Sequence, residues 1–241
     1  MVERTTALVT GANKGIGFEI AAGLGALGWR VGVGARDDRR REDAVAKLRA
    51  GGADAFGVPL DVTDDASVAA AAALIEEHAG GLDVLVNNAA ITGGKVMTPT
   101  TADAETMRAV VETNVIGVMR VTNAVLPMLL RSASPRIVNM SSTVGSLTLQ
   151  TTPGDRTGPI AAAYSPSKTF LNALTVQYAK ELQDTNILIN AACPGFVATD
   201  LNGFRGTRTP AQGAAIAIHL ATLPDDGPTG EFFDDAGTIP W

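Results

Sequence analysis

Short runs of apolar residues alternate along this chain with segments whose apolar positions recur at three- and four-residue intervals. The runs over 5–11 ("TTALVTG"), 30–36 ("RVGVGAR"), 54–62 ("DAFGVPLDV"), 82–90 ("LDVLVNNAA"), 135–142 ("PRIVNMSS") and 186–195 ("NILINAACPG") contain strands, each followed by a polar or glycine-bearing end. Segments 15–28, 41–52, 64–80, 103–131, 164–184 and 209–222 read as helices, the third opened by the acidic pair Asp64 and Asp65. "GEFF" at 230–233 makes a short last strand. Strands that alternate with helices imply βαβ units, right-handed crossovers and a parallel sheet. Near-continuous apolar strands such as "RIVNM" suit a sheet covered on both faces.

Composition narrows the class. With 241 residues, no repeat and no Pro/Ser-rich linker, the chain fits one domain over 1–241. Hydrophobic residues at 46% and charged residues at 18% describe a compact fold rather than a disordered one. A net charge of −6 argues against a general affinity for nucleic acid or acidic membranes. No unbroken apolar run reaches the ~18 residues of a membrane span, and glycine interrupts the N-terminal segment before a signal-peptide core forms. The single Cys193 rules out an internal disulfide and fits a reducing, cytoplasmic setting. His78 and His219 are isolated, so no metal is expected.

In an open α/β sheet, ligands bind beyond the carboxyl ends of the strands, and that is where the informative residues fall. "TGANKGIG" places Gly11, Gly15 and Gly17 between the first strand and the first helix, with Asn13 and Ile16 among them. The spacing is looser than GxGxxG, but the physics is shared: glycines admit a pyrophosphate to the backbone, and a helix N-terminus offers it unpaired N–H groups. The second strand ends in Ala35 and Arg36, without the acid that usually holds an NAD ribose. Arg36 can grip a 2′-phosphate bidentately and Lys14 adds a second cation, which favours NADPH. Asp37 and Asp38 follow at once and weigh the other way.

"AAAYSPSKTFLNAL" puts Tyr164 and Lys168 one helical turn apart on one face. A phenol titrates near 10 and is a poor acid at neutral pH. An ammonium about 5 Å away stabilises the phenolate by roughly 3 kcal/mol at an effective dielectric near 20, so Lys168 is expected to lower the tyrosine pKa. Such pairs also arise by chance. Here Ser142, at a strand end, is suited to bond a carbonyl oxygen, and Asn114 is an amide in an otherwise apolar helix that needs a partner if buried.

Taken in order, "TGANKGIG", "NNAA", "ETNVIG", "VNMSS", "YSPSK" and "CPGFVATD" resemble the short-chain dehydrogenase/reductase family across essentially the whole chain, most of all its NADPH-dependent carbonyl reductases. The resemblance implies a single-domain α/β Rossmann-like fold, a doubly wound parallel sheet of about seven strands with helices on both faces. It implies NADPH-dependent reduction of a ketone or aldehyde to an alcohol, with Tyr164 as general acid and Ser142 polarising the same oxygen. Lys168 would hold the nicotinamide ribose, and Asn114 would position a water linking Lys168 to solvent. Asp61 and Val62 would meet adenine. Asn87 would brace the sheet and, with Ala89, line the cofactor. Pro194, Gly195, Val197 and Thr199 would lie at the nicotinamide end. The same residues would serve an alcohol dehydrogenase run oxidatively, or a nucleotide-binding redox sensor without turnover.

Two departures stand out. Ala90 occupies a position that is commonly glycine, and 22 positions separate Ser142 from Tyr164, more than in most of the family. The intervening 143–160 reads as a Gly/Thr/Pro-rich loop beside the substrate. Its intermediate length leaves open both the usual homodimer through 103–131 and 164–184 and a monomer. Phe196, Leu201, Phe204 and Leu147 are candidates for an apolar wall around a small hydrophobic carbonyl compound.

Overall fold

A computed structural model describes residues 4–94, 97–154 and 158–241. In chain order the elements are β1 (Thr6–Thr10), α1 (Gly15–Ala26), β2 (Arg30–Ala35), α2 (Asp38–Ala50), β3 (Asp54–Pro59), α3 (Asp65–Ala79), β4 (Val84–Asn87), α4 (Ala104–Val111), α5 (Gly117–Leu129), β5 (Arg136–Met140), α6 (Leu147–Thr151), α7 (Tyr164–Glu181), β6 (Leu188–Ala192), α8 (Pro210–Ala221), β7 (Phe232–Asp234) and β8 (Gly237–Thr238).

The strands form one sheet in the order β3-β2-β1-β4-β5-β6-β7-β8, parallel throughout except for the antiparallel β7–β8 pair. The expected doubly wound arrangement is present, with one strand more than expected. β8 is two residues long and carries no apolar run that a sequence pattern would show.

The pleat sorts the apolar residues between two layers. Ala7, Val9, Val84, Val86 and Val138 face α1, α2 and α8, whereas Leu8, Leu85 and Ile137 face α3, α5 and α7. Helix starts follow side-chain caps: Asp37, Asp64, Asp103 and Thr209 each accept a backbone N–H of the first turn of α2, α3, α4 and α8. The Asp37 cap explains why α2 begins three residues before the predicted 41.

The long helical region expected over 103–131 is broken into α4 and α5 by a single π turn, Glu112–Ile116. By length and composition Ala104–Leu129 meets the test for a membrane-crossing helix, with a mean hydropathy of 1.2 over its best window. Its inward residues Val110, Val115, Val121, Val125 and Leu129 are buried in the protein.

Polar residues also enter the interior, in an ordered chain. Asn87 of β4 and Asn139 of β5 lie opposite each other in the ladder. Asn87 Nδ2 donates to Thr122 Oγ1 of α5 (3.1 Å) and to Asn139 Oδ1 (2.9 Å). Asn139 Nδ2 donates to Thr175 Oγ1 of α7 (2.9 Å), which donates in turn to Leu171 O (2.8 Å). Two helices are thereby tied to two adjacent strands by buried bonds. Asn139→Leu leaves buried partners on both sides incompletely bonded and is expected to cost about 2–4 kcal/mol. Urea denaturation checks this, and a loss below about 1 kcal/mol contradicts it.

Candidate active site

The sheet changes winding direction between β1 and β4, and a cleft of about 960 Å³ opens beyond their carboxyl ends. The turn after β1 forms its floor. Thr10 Oγ1 accepts the Asn88 and Ala89 amides (2.9 and 3.0 Å), and Asn88 Nδ2 donates to Thr10 O (2.9 Å) and Gly11 O (3.3 Å). This brace presses the post-β4 segment against the glycine turn. A Cβ on Gly17 would lie 2.5 Å from both Asn88 Nδ2 and Gly11 O.

The start of α1 is the clearest sign of a ligand. Lys14 occupies its N-cap with no side-chain cap, unlike the capped α2, α3, α4 and α8. Four N–H groups and the positive end of the helix dipole therefore face the cleft without a protein acceptor from the cap. Lys14 itself pairs with Asp200, in the segment after β6, so the ion pair spans two walls of the cleft. Arg36 is exposed on the cleft wall. Asp61 lies across from it. Burial pushes the Asp61 carboxyl up, but hydrogen bonds from Thr63 and the positive charge of Arg36 outweigh that and hold it below the usual carboxylate range. This set of groups fits a dinucleotide whose extra phosphate sits beside Arg36.

At the other end, Tyr164 opens α7 and Lys168 follows one turn later. Lys168 is buried, with Nζ 5.5 Å from the centroid of the Tyr164 ring. Nζ donates to Met140 O at the end of β5 (2.7 Å), leaving two of its three N–H groups for other partners. Ser142 lies two residues beyond that carbonyl. Burial lowers the Lys168 pKa to about 8, against the nearby Cys193 thiol, which raises it. Burial also drives the Tyr164 phenol well above its ordinary value, Cys193 adds to this, and a hydrogen bond from Ser142 works against it. In this arrangement desolvation of the phenolate sets the direction, and no lowering by Lys168 accompanies it.

Asn114 is fully buried in the π turn. Its Oδ1 accepts Ile91 N (2.9 Å), while Nδ2 donates to Ile91 O (2.9 Å) and to Ser167 Oγ (3.0 Å). The side chain thus ties the post-β4 segment to α7 rather than reaching Lys168. π turns leave irregular backbone pairing and are often found at functional sites.

Of the sequence-predicted cofactor residues, Gly11, Asn13, Lys14, Gly15, Ile16 and Gly17 line the cleft, as do Arg36, Asp61, Val62, Ala89 and Thr199. Asn87 does not. It is buried in the polar chain, and its neighbour Asn88 takes the wall position. The pleat gives the reason: Asn87 continues the side of Leu85, which faces α5 and α7. Pro194, Gly195 and Val197 follow β6 and are not among the cleft walls. Val197 is buried and bridges to Arg208. Tyr164 lines a smaller adjoining pocket of about 110 Å³, shared with Met97, Leu201 and Arg205, whereas Ser142 and Lys168 line neither space. Arg40, in the first turn of α2, also lines the cleft and has no counterpart among the residues singled out from the sequence. Phe196, Phe204 and Leu147 are all more than half exposed. The segment over 143–160 is not all loop: a 3₁₀ turn (Thr143–Gly145) and α6 occupy its first half, and 155–157 lie outside the described residues. Among the described residues, no group of three His, Cys, Asp or Glu could hold a metal ion.

A doubly wound sheet with a phosphate-binding turn at its switch point, joined to a tyrosine–lysine–serine cluster, defines a dinucleotide-dependent oxidoreductase. The short chain dehydrogenase family model matches residues 5–209, and the chain belongs to that family. "Carbonyl reductase [NADPH] 1" of Rattus norvegicus is 33% identical, with 99% of each chain covered. "Short-chain dehydrogenase/reductase 1" of Saponaria officinalis is 34% identical, covering 97% of this chain and 95% of that protein. Among solved structures, the NADPH-bound carbonyl reductase from chicken fatty liver superposes with a TM-score of 0.86 at 31% identity, over the whole of both chains.

Gly17→Ala is expected to weaken NADPH binding at least tenfold, because one of the two clashing atoms is backbone and cannot swing away. Titration by nicotinamide fluorescence checks this, and unchanged affinity contradicts it.

Proposed function

We propose that this oxidoreductase reduces the carbonyl of a small, hydrophobic ketone or aldehyde to an alcohol, with Tyr164 giving the proton. The observation that carries the reading is that Tyr164, with Ser142 in hydrogen-bond reach and Lys168 Nζ 5.5 Å from its ring, lines a pocket that shares Leu201, Asn202 and Arg205 with the larger cleft. NADPH, when bound, supplies the hydride. Gly11, Gly15, Gly17 and the uncapped start of α1 hold the pyrophosphate, and Arg36 takes the 2′-phosphate, joined by Lys14 once it leaves Asp200.

Ser142 and Tyr164 hold the substrate oxygen by their hydroxyls. Tyr164 then transfers its proton as negative charge develops there. Lys168, anchored by Met140 O, uses its free N–H groups on the ribose and on a water chain that returns the proton to Tyr164. Asn114, bonded to Ser167, keeps α7 at the right distance for this. Apolar residues at the mouth, Leu201 in both pockets and Phe196 and Phe204 nearby, support a hydrophobic substrate. Partly exposed Met119 on α5 and Phe170 on α7 support a homodimer through these helices. The unpaired, buried Cys193 supports a cytoplasmic location.

Tyr164→Phe is expected to lower kcat for carbonyl reduction on the order of 10³-fold while NADPH affinity stays within about threefold of wild type. Steady-state rates and fluorescence titration check it together, and substantial remaining turnover contradicts the assigned role. Arg36→Ala is expected to raise KM for NADPH by tenfold or more and to leave KM for NADH nearly unchanged. Equal effects on the two cofactors remove Arg36 from the phosphate site.

A further inference from the structure

Ser142 is followed by the 3₁₀ turn Thr143–Gly145 and by α6, five residues long. A helix this short has no stability of its own in water, so something else must hold it. One side is held by α7. Gly145 packs so closely on it that a Cβ there would come within 2.8 Å of the Lys168 carbonyl carbon. The other side is held by residues 239–241.

Ser146 is fully buried, and its hydroxyl both caps α6 through Leu149 N (3.1 Å) and donates to Pro240 O (2.6 Å). Trp241 O accepts from Thr148 N (3.1 Å) and Thr148 Oγ1 (2.6 Å). Ile239 N donates to Phe232 O (2.6 Å), and the Trp241 ring stacks on Phe232 at 5.5 Å between centroids and 15° between planes. Leu149 of α6 packs into the same cluster, with Cys193 and Ile239. Three hydrogen bonds therefore join 239–241 to the segment between the two hydroxyls that hold the carbonyl, and the aromatic stack anchors 239–241 on β7. None of these residues lines the dinucleotide cleft or the Tyr164 pocket; the segment reaches the site through Ser142, which accepts Val144 N at its Oγ and Gly145 N at its carbonyl.

We propose that residues 239–241 are a latch that positions α6, and so sets affinity for the carbonyl substrate without affecting the cofactor. The substrate part of this statement rests on the carbonyl-reductase reading above. Trp241 is a positioning residue: it acts through Thr148 and Leu149.

The test compares wild type with Trp241→Ala and with the conservative Trp241→Phe, which keeps the stack on Phe232. Trp241→Ala is expected to raise KM for the carbonyl at least fivefold, with kcat within threefold and the NADPH dissociation constant within twofold. Trp241→Phe is expected to return KM to within twofold of wild type. Backbone amide exchange over 143–152 is expected to speed up at least tenfold in Trp241→Ala while exchange in β1 is unchanged. A fall in melting temperature with unaltered KM overturns the proposal, as does a parallel rise in carbonyl KM and NADPH dissociation constant. The exchange arm does not depend on turnover. If no carbonyl compound is reduced by wild type, the functional reading fails, and unaltered exchange over 143–152 then overturns the latch as well.

Discussion

The arrangement of this site depends on a line of hydrogen bonds buried in the middle of the sheet, Thr122–Asn87–Asn139–Thr175. Apolar packing holds α5 and α7 against the sheet, but it is non-directional and tolerates sliding. A buried polar bond does not, because losing a partner in the interior costs roughly 1–3 kcal/mol. Further ties along α7 act in the same sense: Ser141 Oγ to Asn172 Oδ1 (2.5 Å), and Lys168 Nζ to Met140 O. Together they fix the height of α7 relative to β5. That height decides whether Tyr164, at the start of the helix, stands opposite Ser142, just past the end of the strand.

The two ends of the site are built on opposite logics. At the cofactor end the protein leaves groups unsatisfied: an uncapped helix start, and an exposed Arg36. Those vacancies in hydrogen bonding are what an anion fills. At the catalytic end the groups are buried instead, and burial there raises the Tyr164 pKa and lowers that of Lys168. A phenol that is costly to ionise makes a proton donor whose charge must be matched by what the substrate and cofactor bring.

Much of this was legible in the residues themselves. Strand ends, the glycine turn, Arg36 and the Tyr164–Lys168 spacing are local features, and each is where the pattern placed it. What escaped depends on contacts distant in sequence. α6 forms because Ser146 caps it and Pro240 and Trp241 brace it, nearly a hundred positions away. The π turn at Asn114 reflects a fit to Ile91 and Ser167 that no periodicity records. The choice between Asn87 and Asn88 did have a signal, since counting the pleat from Leu85 assigns Asn87 to the helix side. Burial of the Tyr164 phenol, which pushes its pKa up, likewise depends on packing that no local pattern records.

The pinning of α7 to β5 has a consequence for how such a protein can change over generations. Ser142 is placed by a strand, Tyr164 by a helix, and the strand and helix are joined to each other through the interior. Beyond the 3₁₀ turn that packs on α7, the segment between the two residues carries little of the load of keeping them apart. It can therefore lengthen, shorten or alter its composition while the reacting groups stay where they are. Substrate range and chemistry become separately heritable properties of one fold.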